Sequence, residues 1–461
     1  MKICDGLLFA CLLVGAAFGQ NKLDPEQFAK EVSRQAIEKH VQSFNAIAEA
    51  NGGNRAFGTP GYKESRDYVL RILRQCGEEM DVRLQEFTHS FNDNNFTLHG
   101  PDGQVPVLAR LVGFGQGLHI ENNAPLAALP DDDGRGCGCF EDQWTKVKTA
   151  GNIVLVQRGG CAISDKLTLA KRHGAVAVVL YNQSPGQAGA IAGEGDIGKH
   201  FPAGIFALSI GLEVGQEWAK RLKAGQQFPV SIVIKQRDED RVSWNIIAES
   251  KTGDANNVVM LGAHLDSVQA GPGINDNGSG SSALIEIASK LCSHRGYKHK
   301  VRFAWWGAEE LGLVGSKYYA SQLSSAEADK IRFYFNYDMI GSVSPDWAVY
   351  ADDDADRYGA KHLYDALTKT YTNVSMAEFG SSSDYVAMRR LGIPASGLFT
   401  GAGGDADPCY HQACDDKSNI NFEAALAATR AAAFAMAELA NNMDGLPGRN
   451  KGGGEDEDET A

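Results

Sequence analysis

Six residues scattered along the chain have the side chains that metal binding and proton transfer require: His264, Asp276, Glu309, Glu310, Asp338 and His411. What makes them a set is where they fall. His264 follows the apolar run VVMLGA, Glu309 and Glu310 follow VRFAWWG, Asp338 follows RFYFNY, and His411 lies in the loop beyond the short run SGLFT. In open α/β sheets, ligands gather just beyond the carboxyl ends of strands, where loops hold side chains over a rigid platform. Asp276 comes instead from the glycine-rich segment GPGINDNGSG, whose backbone freedom lets a carboxylate bend between two cations. Singly, each residue has an ordinary structural explanation. A histidine after a strand can simply be hydrogen-bonded, paired glutamates at a helix start complement the helix dipole, and Asp338 or Asp276 can cap a turn. Jointly, two imidazoles and three carboxylates from five segments match the nitrogen and oxygen donors that borderline divalent ions prefer, with Glu309 left over.

The elements that must hold these residues are legible as alternating patterns. After Val242 come the strands NIIAES and NVVMLGAHLD, a helix over Ser281–Leu291, the strand KVRFAWWG, a helix over Glu309–Ala320, the strand IRFYFNYD and a last, alanine-rich helix over Phe422–Ala440. Continuous apolar strands alternating with helices predict a sheet covered on both faces. Upstream, Phe28, Val32, Ile37, Val41, Phe44 and Ile47 recur at helical spacing behind Asp24 as N-cap. The turn cluster GGNRAFGTPGY separates that helix from a second around Tyr62–Leu73, and DVRLQEFTHSF then alternates as a strand. Between Pro106 and Arg241 the texture changes to a separate unit: the strand GNIVLVQRGGC, the helix SDKLTLAKRHG ending at Gly174, and the buried strand AVAVVLYN.

Bulk composition sets outer limits. A chain of 461 residues exceeds one ordinary core, and 43% hydrophobic with 22% charged residues is a globular composition. The net charge of −14, with no concentrated basic surface, argues against a nucleic-acid partner. Residues 1–19 combine one lysine, a short apolar stretch and small residues at Ala17 and Gly19, the pattern of a secretory signal, with an uncleaved anchor as the alternative; no stable membrane span is expected after cleavage. The end of the chain from Gly445, glycine-rich and then acidic, is expected to be a disordered tail over 445–461. Seven cysteines remain after the signal, so at least one thiol stays free, and Cys292, inside IEIASKLC, reads as a buried core thiol. Cys409 and Cys414 flank Tyr410 and His411, where a disulfide would stiffen the loop. Sequons at Asn95 and Asn373 fit glycosylation in an oxidising compartment; Asn182 precedes a discouraging proline, and Asn277 lies too close to the proposed site.

Two resemblances sharpen these expectations. NIVLVQRGGC, its following helix, AVAVVLYN and GCFEDQW resemble the protease-associated domain inserted in many peptidases, which implies Cys139 as the partner of Cys161 and a possible protein-contact surface. GAHLDSVQAGPGINDNGSGSSALIE, FAWWGAEELGLVGS, FNYDMIG, SDYVAM and CYHQACDDKSNIN resemble the di-zinc aminopeptidases, especially the aminopeptidase Y group, from Arg55 to about Leu439. That likeness implies an α/β zinc-exopeptidase fold with a central mixed sheet covered by helices over 20–105 and 242–444, interrupted by the protease-associated domain over 106–241. It implies two Zn2+ ions, one on His264 and Asp338, the other on Glu310 and His411, with Asp276 bridging and Glu309 as general base. Tyr410 would donate to the oxyanion, and Asp266, in HLD, would either fix the His264 tautomer or cap a helix. The substrates would be peptides with a free N-terminus, and the location secreted, vacuolar or lysosomal. A carboxypeptidase or dipeptidase on the same scaffold, or a non-catalytic receptor-like protein, are the competing readings. The chain departs from the family in two places. Ser382 stands where an arginine is expected, and GLFTGAGGDADPCYH is shorter than the usual connection, which would either widen the pocket or displace Tyr410 and His411.

Overall fold

In the strand Asp254–His264, Val259 and Leu261 pack with Phe303, Trp305, Phe333 and Phe335, while Met260 between them packs with Ala304, Trp306 and Tyr334. Those are the two faces of one sheet, and both are buried, as unbroken apolar strands demand. The computed structural model describes residues 21–101, 103, 107, 109–112, 119–183 and 204–451. The expected signal segment, 1–19, and the end of the acidic tail, 452–461, lie outside the described residues.

The described chain forms two compact units, one from residues up to His89 and from Val242 onward, the other from Ser90–Arg241. The change of unit falls at Ser90, ahead of the expected position 106. The strand foreseen as far as Phe91 runs from Met80 to His99, and its second half brings Phe96 and Leu98 into the apolar core of the second unit.

In the first unit the strands lie in the order Val374–Ala377, Trp347–Tyr350, Ala395–Phe399, Ile331–Tyr337, Asp254–His264, His299–Trp306 and then Ile246–Glu249 of the strand Pro229–Ser250. The four strands from Ala395–Phe399 to His299–Trp306 are mutually parallel, so their carboxyl ends share one edge. Antiparallel neighbours on either side make the sheet mixed. The helices Arg34–Ala50, Pro60–Leu73, Gly280–Leu291, Asp354–Thr368 and Phe422–Asn441 cover one face. Val314–Ser321 and Tyr385–Arg390 cover the other. Helix starts follow local chemistry: Ser33 Oγ accepts Ala36 N–H, Thr59 caps ahead of Pro60, and Asn421 Oδ1 takes the N–H groups of Glu423 and Ala424. The last helix buries an alanine face that includes Ala425, Ala428 and Ala432, small residues that bring its backbone close to the sheet.

Three expectations are corrected here. The single helix foreseen over Glu309–Ala320 is a 3-10 turn, Glu309–Leu311, followed by a separate helix, Val314–Ser321. Gly312 and Leu313 between them both have positive φ, 99° and 63°, which no continuous helix permits. Cys292 is not a free core thiol but is bonded to Cys76, whose Cα lies 5.5 Å away despite a sequence separation of 216. Order also continues past Gly445: Leu446 is buried, the Asn450 N–H donates to Gly392 O at 2.8 Å, and Arg449 pairs with Asp329 at 2.7 Å. Apolar contact and charge pairing thus hold the chain through Lys451.

The second unit carries the parallel strands His119–Ala128, Ile153–Gln157, Ala177–Tyr181 and Ala207–Ile210, with Ala109–Val112 antiparallel at one end and the first half of Pro229–Ser250 at the other. Helices Ile163–Arg172 and Leu212–Lys223 accompany them. Cys139 and Cys161 are joined, and Cys137 is a buried free thiol. Beside them the buried Lys166 ammonium donates to the carbonyls of Gly159 at 2.8 Å, Gln157 at 3.2 Å and Cys137, so burial, which lowers its pKa to about 8, is met by fixed acceptors.

Candidate metal centre

Parallel register brings the site together. Trp306 pairs with His264, and Tyr337 pairs with Leu398, so the loops leaving these strands start side by side. His264 Nε2 lies 3.1 Å from Asp276 Oδ1 and 3.3 Å from Asp338 Oδ1. His411 Nε2 lies 3.1 Å from Asp276 Oδ2 and 3.0 Å from Glu310 Oε2. Asp276 therefore turns one oxygen to each imidazole. Among the described residues, two sets of converging donors share it: His264, Asp276 and Asp338, and Asp276, Glu310 and His411, each with ligand atoms within 4.8 Å of one another.

The donors fit a divalent cation by their own chemistry. His264 Nε2, Glu310 Oε1 and Asp338 Oδ1 are buried and aligned with no hydrogen-bond partner, a costly state for polar atoms unless a cation completes them. Charge points the same way. Burial opposes a positive imidazole at His264, yet Asp338 and Glu309 hold its pKa well above the ordinary value. His411, also opposed by burial, is held up to about 10 by Glu310 and Asp276. Burial would raise Asp276 too, but the two imidazoles override it and hold the carboxyl below its usual range. The cage is thus strongly cation-seeking. Nitrogen and oxygen donors without thiolate suit zinc.

Local conformation aims these groups. Ala308, Met339 and His411 all take left-handed backbone, with φ of 58°, 48° and 58°. Such non-glycine conformations cost on the order of 1 kcal/mol or more and persist where surrounding structure fixes them. For His411 that structure is the loop closed by the bonded pair Cys409 and Cys414. The short connection before it is anchored by Asp407, which is buried and accepts from Cys409 N–H, Asn419 Nδ2 and Asn275 Nδ2. Of the two outcomes foreseen for this short segment, displacement of His411 is not what occurs. Tyr410 stacks on the His411 ring at 3.8 Å, and burial raises its pKa, keeping the phenol protonated.

Asp266 divides its contacts between its main chain and its side chain. His264 Nδ1 meets the backbone carbonyl of Asp266 at 3.1 Å, whereas the nearer carboxylate oxygen is 3.7 Å away. The carboxylate instead accepts the N–H groups of Glu309 at 3.1 Å and Glu310 at 3.3 Å. So the carbonyl orients the imidazole, and the carboxylate caps the turn that carries the two glutamates.

Sequence reasoning missed a hydrogen-bond chain behind Asp338. Trp306 Nε1 donates to Tyr334 OH, which donates to Asn336 Oδ1; Asn336 Nδ2 donates to Ser383 Oγ, which donates to Asp338 Oδ2 at 2.6 Å. Tyr334, Asn336 and Asp338 alternate at period two, the signal that could have shown them on one side of the strand. Glu309, outside both donor sets, is buried, with Oε2 3.9 Å from His264 Nε2, and burial lifts its pKa well above the usual carboxylate value. It borders a cavity of about 160 Å³ whose lining also includes Tyr350, Tyr385, Phe399 and Ser382. Ser382 is exposed, its Oγ 3.2 Å from Tyr385 OH. Of the sequons, Asn373 is exposed, Asn277 is fully buried with Nδ2 donating to Tyr337 O, and Asn95 lies in the strand Met80–His99.

This fold is shared with known proteins. Residues 245–436 match peptidase family M28, and residues 122–218 match the PA domain. The chain is 33% identical to a probable leucine aminopeptidase 2 of Aspergillus oryzae, across 96% of this chain and 92% of that protein. It is also 33% identical to aminopeptidase Y of Saccharomyces cerevisiae, across 86% of this chain and 75% of that protein. A solved zinc aminopeptidase from Bacillus subtilis superimposes with a TM-score of 0.69 at 26% identity, covering 88% of this chain and 95% of that structure. The chain belongs to peptidase family M28, with a PA domain inserted in its peptidase domain.

Proposed function

We propose that this chain, a zinc-dependent aminopeptidase, holds two zinc ions, one on His264 and Asp338, the other on Glu310 and His411, with Asp276 between them and Glu309 as the general base. The single observation that carries the reading is the division of Asp276, whose two oxygens each lie 3.1 Å from a different imidazole. When bound, zinc supplies a Lewis acid for the scissile carbonyl and makes water acidic enough to attack near neutral pH. Glu309, outside both donor sets and bordering the cavity, would take a proton from the attacking water and pass it to the departing amine. Tyr410, kept as a neutral phenol, donates to the oxyanion as the carbonyl becomes tetrahedral.

Recognition of a free N-terminus is supported by the charges around the cavity. Among the described residues lining it there are the carboxylates of Asp276, Glu309, Glu310 and Asp338 but no Arg or Lys. An ammonium is met by such a rim, whereas a C-terminal carboxylate would need a cationic clamp. The inserted unit offers a surface for protein contact. Secretion or delivery to a vacuole or lysosome would fit the signal-like sequence pattern of residues 1–19 and the sequons at Asn95 and Asn373, of which Asn373 is exposed. No helix among the described residues is long and apolar enough to cross a membrane.

Paired dipeptides test the reading. The zinc-loaded protein should cleave a carboxyl-blocked dipeptide and spare its amino-blocked counterpart. Cleavage of only the amino-blocked one would overturn the aminopeptidase assignment, and a bound-zinc content near one ion per chain would overturn the paired-ion assignment.

A further inference from the structure

The segment that delivers Asp276 is glycine-rich, and yet five consecutive residues of it are gripped through their backbone by two buried residues, four by side chains and Ile274 by a main-chain carbonyl. Arg55 comes from the turn after the first long helix and is fully buried. Its guanidinium donates from Nε to Pro272 O at 2.8 Å, from Nη2 to Gly273 O at 2.5 Å and from Nη1 to Leu265 O, the carbonyl of the residue after His264. Asp415, four positions after His411 and 1% exposed, takes the amides that follow. Its backbone carbonyl accepts Ile274 N–H at 3.0 Å, Oδ1 accepts Asn275 N–H at 2.9 Å, and Oδ2 accepts Asp276 N–H at 3.1 Å. Two carbonyls are bound to the cation and three successive N–H groups to the aspartate. Gly273 completes the fit: its φ is +61°, and a Cβ there would lie 2.4 Å from Asp276 O and from Ser267 Cβ.

We propose that Arg55 and Asp415 are positioning residues that clamp the segment Pro272–Asp276 from opposite ends, so that the Asp276 carboxylate stands between His264 and His411 before any cation arrives. The proposal rests on the reading of Asp276 as the shared ligand and adds how that ligand is held. The hydrogen bonds from the Arg55 cation are charge-assisted, about twice as strong as neutral ones, and its burial keeps solvent from screening them. Each clamp residue also ties Asp276 to a histidine: Arg55 through the carbonyl after His264, and Asp415 through its place at the end of the His411 loop. Burial pulls the Arg55 pKa to about 10, where it stays cationic, and the carboxylates of Asp266 and Asp415 do most to hold it there. Asn419 Nδ2, 3.0 Å from Asp415 Oδ1, supplies a third donor to the carboxylate.

Hydrogen exchange on the unsubstituted protein, zinc-loaded and stripped by chelator, separates a clamp from a loop ordered by the ions. The amides of Ile274, Asn275 and Asp276 should remain protected by about 100-fold or more over an open chain in both states. Loss of that protection on stripping would overturn the proposal. In the variants Asp415→Asn and Arg55→Lys, zinc release to the chelator should quicken about 10- to 100-fold and kcat fall by a similar factor, with KM changed less than about threefold. Variants that melt earlier but release zinc and turn over as the parent does would mark a merely structural role and overturn it. Should a variant fail to fold, the exchange measurement decides alone. A protein that binds no zinc would defeat the proposed function, while amide protection would still report on the clamp.

Discussion

The carboxylate of Asp266 accepts the backbone N–H of Glu309 at 3.1 Å, so the residue two positions after His264 in HLD fixes the turn of the proposed base as well as the imidazole. The two tasks fall to different atoms. Asp266→Ala keeps the carbonyl that orients His264 and removes the cap of Glu309 and Glu310. Zinc content should therefore stay close to that of the parent while kcat falls about 10- to 100-fold. Metal analysis beside steady-state kinetics would check this, and loss of metal in step with loss of rate would contradict it.

Glu309 lies outside both donor sets, so its removal should spare them. For Glu309→Ala we expect zinc content unchanged and kcat on amino-acid amides lowered by about 100- to 10,000-fold, the usual worth of a positioned general base. Retained turnover would assign the proton transfer elsewhere.

The disulfides differ in what they close. Cys76–Cys292 spans 216 positions and Cys409–Cys414 only 5. Loop-closure entropy gives on the order of 5 kcal/mol for the first and about 2 kcal/mol for the second. Serine at both Cys76 and Cys292 should lower the thermal midpoint the more. Serine at both Cys409 and Cys414 should instead show mainly in kcat, through the loop carrying Tyr410 and His411, and calorimetry with kinetics on the two double variants distinguishes these outcomes.

His40 predicts an acid-sensitive component of stability. It is 6% exposed, its Nδ1 is 2.7 Å from Tyr68 OH, and burial lowers its pKa to about 4. An unfolded histidine binds its proton near pH 6.5, so the folded state binds fewer protons between those values. The contribution is complete above about pH 6.5 and lost as pH falls toward 4, by on the order of 3 kcal/mol. Chemical unfolding at pH 7 and pH 4.5 should show a smaller difference for His40→Asn than for the parent. An equal difference in the two proteins would remove His40 as the cause.

Much of the scaffold was legible because burial on both faces writes itself into unbroken apolar runs: NVVMLGAHLD, KVRFAWWG and IRFYFNYD are strands, and chemical residues stand just past their ends. Features set by partners distant in sequence were not. Cys292 lies in a helical pattern that fits a core thiol, and nothing local points to Cys76. Gly312 was the one visible sign that Glu309–Ala320 breaks into a turn and a helix. The chain from Asn336 through Ser383 to Asp338 joins two segments, and Arg55 looked like part of a turn until the carbonyls of Pro272 and Gly273 were beside it. Asp266 shows a further limit, since a sequence names a side chain but not whether its carbonyl or its carboxylate will do a given task.

Cys137 offers a use of its own. It is 3% exposed and stands apart from the three bonded pairs, so among the described cysteines it alone keeps a free thiol. A thiol-reactive dye should therefore remain silent toward the native inserted unit and light up only as that unit opens, giving a label-based readout of its melting separate from that of the peptidase unit.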